Sequence, residues 1–155
     1  MMFKKSIYII VIYIAAFLFQ TNWFGYLPFL GVSINFVLCA LVVLNCYSRS
    51  PLIFVGAVIS GLLLDLCLGL YIGVSAISYF AVCVLLMITA ETIYKGHFFS
   101  AIYTILWATV LYEIVYWTIL LILGESYSFV YMLSRLPSLL LVNVVVSGIA
   151  KEIKG

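Results

Sequence analysis

Residues 51–73 read PLIFVGAVISGLLLDLCLGLYIG, and the reading of the whole chain turns on this stretch. It opens with Pro51, where a proline in the first helical turn forfeits no hydrogen bond. From there to Leu70 the run is apolar and long enough to cross a bilayer core, with one acid in it, Asp65. An ionisable group inside such a segment is costly, so it is a functional candidate by default. On a helix, Asp65 lies about 8 Å from the outer end of the span, at about 1.5 Å per residue. Ala57, Gly61, Asp65, Gly69 and Gly73 repeat every four residues. If the helix runs through, they form one inclined face that lets a second helix backbone approach closely. The alternative is a glycine-bounded turn over 69–73, with Asp65 just before it and able to accept bonds from its amides. Both readings stand on the sequence.

The same character extends outward from this stretch. The chain has 155 residues, 68% of them hydrophobic and only 8% charged. Its mean hydropathy is +1.35. Soluble domains run nearer 50% apolar and about 25% charged. Seven Lys and Arg and five Asp and Glu are too few to cover a soluble globule of this size. The balance excludes an ordinary cytosolic enzyme, a disordered tail and a nucleic-acid binder, and predicts a polytopic membrane protein.

Spans need about 20 apolar residues each. The expected set is 7–25, 31–47, 51–70, 73–94, 98–123 and 136–151, six transmembrane helices in a single integral membrane domain over 1–155. Pro28 falls in the first loop, and Pro137, like Pro51, is read as a first-turn proline. With six spans, Lys4, Lys5, Arg49, Lys95, Lys151 and Lys154 share one side and only Arg135 lies on the other. Positive-inside then places both termini in the cytoplasm. The first apolar run is too long for the h-region of a signal peptide and no A-x-A site follows, so it reads as a retained helix. Trp23, Tyr26, Tyr71 and Tyr127 near the outer interface, with Tyr47 and Tyr94 near the inner one, fit aromatic belts. Trp107, inside a span, reads as packing or lipid contact.

Few side chains offer chemistry. Cys39, Cys46, Cys67 and Cys83 form no C-x-x-C pair and read as small hydrophobes. His97 beside Lys95 lacks the companions a metal site needs. Neither a phosphate loop nor a nucleophile motif is present, and nothing calls for a cofactor. Glu91 sits four residues before Lys95, a helical ion-pair spacing. Glu113 lies deep in the fifth span, among Tyr112, Tyr116 and Trp117. For Asp65 and Glu113 three readings compete: structural glue, the lining of a cavity, and proton relay. Arg135 is the expected partner of Asp65, with Glu125 as competitor. Asn35, Asn45 and Asn143 read as amides bonding across helices, worth about 1 kcal/mol each.

The stretch from Gly56 to Asp65, with Gly61-x3-Asp65 followed by Gly69 and Leu70-Tyr71-Ile72-Gly73, resembles the signature of the rod shape-determining MreD family. Leu111-Tyr112-Glu113 looks like that family's acidic position in the fifth helix. Arg135-Leu136-Pro137 with Asn143 resembles its last-helix segment. The resemblance covers essentially the whole chain. It departs in the second span, where members commonly carry a proline and this chain reads Gly31-Val32-Ser33-Ile34-Asn35-Phe36.

The resemblance implies a non-enzymatic scaffold of bacterial cell elongation in the cytoplasmic (inner) membrane. The implied partner is MreC, a single-span protein with a periplasmic domain. The complex would be tied indirectly to the cytoskeletal protein MreB and support peptidoglycan synthesis by a transpeptidase and its glycosyltransferase. It also implies a six-helix bundle similar to the substrate-binding subunits of energy-coupling factor transporters, with an outward pocket near Asp65, Glu113, Arg135 and Asn143. Ala57, Gly61, Gly69, Gly73 and Pro137 are the expected packing or partner-binding positions. The alternative function is vitamin capture by such a subunit, with Tyr127, Phe129 and Tyr131 in an outer loop to stack on a flat ligand. Membrane lipids are expected around all of it, and the basic C-terminal residues would touch their headgroups.

Overall fold

A computed structural model describes residues 2–22, 26–27, 32–48, 50–93, 98–126 and 128–152, with side chains described for 4–22, 34–48, 50–89, 102–126 and 128–149. Six helices follow one another: α1 Met2–Thr21, α2 Phe36–Tyr47, α3 Pro51–Leu68, α4 Val74–Ile93, α5 Phe98–Ile122 and α6 Phe129–Glu152. A two-residue antiparallel ladder, β1 Tyr26–Leu27 with β2 Val32–Ser33, lies between α1 and α2. Among the described residues four helices, α1, α3, α5 and α6, are long and apolar enough to cross a membrane. The protein is therefore an all-helical membrane protein. Its outward-facing side chains, among them Ile10, Ile14, Val55, Ile59, Trp107 and Val145, are apolar and exposed. That pattern suits lipid as the surrounding medium, where sheet edges are not tolerated but helices satisfy their own backbone.

Neighbouring helices pack in sequence, α3 on α4, α4 on α5 and α5 on α6, while α1 lies against α2 and α3. α2 is the central element: its Val37, Leu38, Leu41 and Val42 are fully buried, and it touches α1, α3, α5 and α6. Because α2 has only 12 residues, it is about 18 Å long at 1.5 Å per residue, short of the ~30 Å hydrocarbon core. The expected second span, 31–47, thus splits into an extended entry and a short helix. A β-branched, polar stretch, Val32-Ser33-Ile34-Asn35, favours the extended form, and Asn35 caps the helix that follows.

Two further expectations change. α6 begins at Phe129 rather than near 136, so Pro137 is inside the helix and not in its first turn. It has no N–H to reach the carbonyl four residues back, so α6 runs through it one hydrogen bond short, and its ring lies at the helix surface. α3 ends at Leu68, so Gly69 and Gly73 are not on its packing face. They bound a turn, the second of the two readings above. Gly73 adopts φ +101 and a Cβ there would meet nothing within 4 Å, so it serves backbone freedom rather than packing. Gly61 does serve close approach: its Cβ would meet the Tyr79 ring at 2.5 Å and the Ala76 backbone at 3.0 Å. Ala57 is fully buried. The small-residue face of α3 is thus consumed within the bundle.

Trp23, Tyr94, Tyr127, Pro28, Arg49, Lys95, His97 and Lys154, and the side chains of Tyr26, Glu91 and Lys151, lie outside the described residues. The charge asymmetry and the Glu91–Lys95 pair rest on the sequence.

Candidate functional site: a polar cavity at the end remote from the termini

The site is built around Asp65, whose side chain is only 3% exposed. Gly73 precedes α4 and has no side chain with which to cap it. Asp65 supplies the missing cap from the preceding helix. Its carboxylate accepts hydrogen bonds from the N–H groups of Gly73 (2.9 Å), Ser75 (2.9 and 3.2 Å) and Ala76 (3.4 Å). These are orphan donors that every helix N-terminus must satisfy, and a carboxylate there also meets the positive end of the helix dipole. The Asp65 carbonyl accepts from Gly69 N–H at 3.0 Å, closing α3. One residue therefore ends one helix and begins the next.

A second buried polar cluster surrounds the start of α2. The Asn35 side-chain oxygen accepts from Leu38 N–H (3.0 Å) and from the Tyr79 hydroxyl (2.6 Å). The Gln20 side chain, reaching from α1, accepts from Val37 N–H at 3.1 Å. Asn143 on α6 is 1% exposed. Its amide nitrogen donates to the Thr109 hydroxyl (3.1 Å) and its amide oxygen accepts from Asn35 N–H (3.4 Å). Cys39 donates weakly to Asn143 at 3.7 Å. The helix start sunk in the bundle is thereby satisfied by side chains from α1, α4 and α6, and α5 joins through Thr109. Cys39 and Cys83 are buried, and all four cysteines are free.

Between the two clusters lies a cavity of about 410 Å³. Its walls come from α1, α3, α4, α5 and α6 and from the extended residues before α2, and it sits at the end of the bundle remote from both Met2 and Glu152. Asp65, Glu113 and Arg135 line it together with Gln20, Asn35 and Ser75, while Tyr112, Tyr116, Trp117, Tyr131 and Met132 supply the apolar and aromatic part. Asn143 does not line it but lies in the polar cluster that includes the lining residue Asn35.

The expected Asp65–Arg135 pair does not form. The Asp65 carboxylate is engaged by backbone amides, and Arg135 instead lies within electrostatic reach of Glu113 on α5. Arg135 rests against the Tyr131 ring, 5.4 Å from its centre. Its Nε is buried and has no hydrogen-bond partner. Glu125, the competitor, accepts from the Tyr71 hydroxyl at 3.0 Å instead. Ring contacts continue the wall: Tyr79 and Tyr112 lie 4.8 Å apart, Tyr112 stacks on Tyr116 at 5.8 Å, and Trp117 meets Phe129 edge-on at 5.4 Å. Among the described residues no group of His, Cys, Asp and Glu is placed to hold a metal.

Sequence reasoning missed Gln20, Tyr79 and Thr109. Gln20 had a usable signal, an amide in the last turn of a span. Tyr79 and Thr109 are of types common throughout membrane helices, and only their partners distinguish them. Chemically the cavity offers one guanidinium with a free donor, one nearby carboxylate and aromatic faces. These groups could hold a ligand with an anionic or polar head and a flat apolar part. Comparisons of the chain with protein-family models, curated proteins and solved structures find no match in any of the three. The family resemblance thus rests on the residues quoted for it.

Proposed function

We propose that the protein is an MreD-like, non-enzymatic scaffold of the bacterial cell-elongation machinery. In this reading all six helices are spans, with α2 completed by the extended residues before it, and both termini are cytoplasmic in the inner membrane. The scaffold pairs with an MreC-like single-span protein, acts alongside the wall transpeptidase and glycosyltransferase, and meets an MreB-like cytoskeleton indirectly.

The observation that supports it most is the use made of the signature acid. The Gly61–Asp65–Gly69–Gly73 segment, which carries the resemblance, is employed in joining α3 to α4. An acid engaged by the backbone amides of the next helix holds the α3–α4 junction in shape. The expected result of Asp65→Ala in the native host is loss of rod shape, read by microscopy at matched protein level. Normal rods at normal protein level would count against the role given to Asp65.

A second reading, the substrate-binding subunit of a vitamin transporter of the energy-coupling factor type, is favoured by the cavity itself. A volume of about 410 Å³ is within the range of small-molecule sites, and Trp117 and Tyr116 offer flat faces. Equilibrium dialysis of the pure protein against radiolabelled vitamins separates the two: saturable binding supports transport, and no binding removes it.

A further inference from the structure

At the opposite end of the bundle, the end holding the N-terminus, a second cleft of about 420 Å³ lies between the start of α1 and the end of α2. Lys4, Lys5 and Tyr8 stand on one wall, Leu44, Tyr47 and Ser48 on the other, with Ile9 at its base. The lysines are exposed, while Ile9 and Leu44 are buried. Two cations thus stand over an apolar slot. Their position is electrostatically unfavourable, because the first turn of a helix prefers anions, and α1 has no acid in that turn. Among the described side chains neither lysine has an acidic partner: Asp65, Glu113 and Glu125 lie toward the other end, and the side chains of Glu91 and Glu152 are outside the described residues.

We infer that this cleft holds one anionic glycerophospholipid. Its phosphate lies between the Lys4 and Lys5 ammonium groups and one acyl chain follows the slot past Tyr8 toward Ile9 and Leu44. The chemistry matches at both ends: paired ammoniums for the phosphate, and an apolar wall running into the membrane for the chain. Free phosphate would satisfy the lysines and leave the slot unused, so the occupant is the lipid. The inference stands apart from the proposed function and does not need it.

The test is native mass spectrometry of the full-length protein in mild detergent, equilibrated with equal amounts of phosphatidylglycerol and phosphatidylcholine. One phosphatidylglycerol per chain is expected, retained over phosphatidylcholine by at least about tenfold, given two basic residues near the headgroup. The Lys4→Gln/Lys5→Gln variant, which alters only exposed side chains, is expected to lose that preference while eluting as the wild type does. A Lys151→Gln/Lys154→Gln control is expected to keep it. Equal retention of the two lipids by the wild type, an unchanged preference in the Lys4→Gln/Lys5→Gln variant, or loss of preference in the control would each overturn the inference.

Discussion

Asp65 shows how much one side chain settles in this protein. Replacing it with Ala leaves the N–H groups of Gly73, Ser75 and Ala76 without an acceptor in a buried place. Lost caps cost about 0.5–2 kcal/mol, and orphaned buried donors about 1–3 kcal/mol, so Asp65→Ala should destabilise by roughly 2–4 kcal/mol. Asp65→Asn keeps one acceptor oxygen and should lose clearly less. Reversible denaturation in mixed micelles measures both; equal losses would show that the negative charge, not acceptance from the amides, is what matters. Asn35 invites a second prediction at this scale. Its oxygen takes the Tyr79 hydroxyl at 2.6 Å while capping α2. A double-mutant cycle of Asn35→Ala and Tyr79→Phe should give a coupling of about 0.5–1.5 kcal/mol, and additivity would place the two residues in separate roles. Of this residue-level picture, Asp65 was legible because an acid in an apolar run is conspicuous. Its partners were not, because backbone amides leave no mark in a sequence. Arg135 was legible as a lone cation in its stretch of sequence, but not its place on the cavity wall within electrostatic reach of Glu113 rather than paired with Asp65.

Among the elements, α3 and α6 carry opposite lessons about small residues. A Cβ at Gly61 would meet the Tyr79 ring and the Ala76 backbone. Gly61→Ala should therefore cost about 1–3 kcal/mol by overpacking the α3–α4 contact. At Gly148 a Cβ would meet nothing within 4 Å. Gly148→Ala should be neutral or stabilise α6 by up to about 1 kcal/mol, the propensity difference between the two residues. Thermal unfolding of both variants checks the contrast, and a neutral Gly61→Ala would mean that α3 and α4 are less closely packed. The limits of α3, α4 and α5 followed from hydropathy and proline and lie within a residue or two of their expected bounds, whereas α1 runs Met2–Thr21 rather than 7–25. α2 and α6 did not follow. A run of apolar residues reads alike whether extended or helical, which hid the extended entry to α2. Pro137 looked like a beginning because an interior proline is rare where no neighbour obliges it.

For the whole molecule, the account places two polar clusters and a cavity at one end of an apolar bundle and a basic cleft at the other. Hydropathy announced the membrane, since few arrangements other than lipid contact can absorb so much exposed apolar surface. The cavity could not be read beforehand, because it is formed by side chains drawn from six separate segments. The orientation proposed from the basic residues is open to direct test. Reporter fusions at either terminus should be active only in the cytoplasm, and a periplasmic signal from either would reverse or break the six-span topology. The central proposal, that this bundle is a scaffold for partners, is tested most directly by purifying the tagged protein from its native host in mild detergent and identifying what comes with it. The account predicts a single-span MreC-like protein together with wall synthases. Recovery of cytoplasmic ATPases with a membrane coupling subunit would contradict it and make the cavity a transport site.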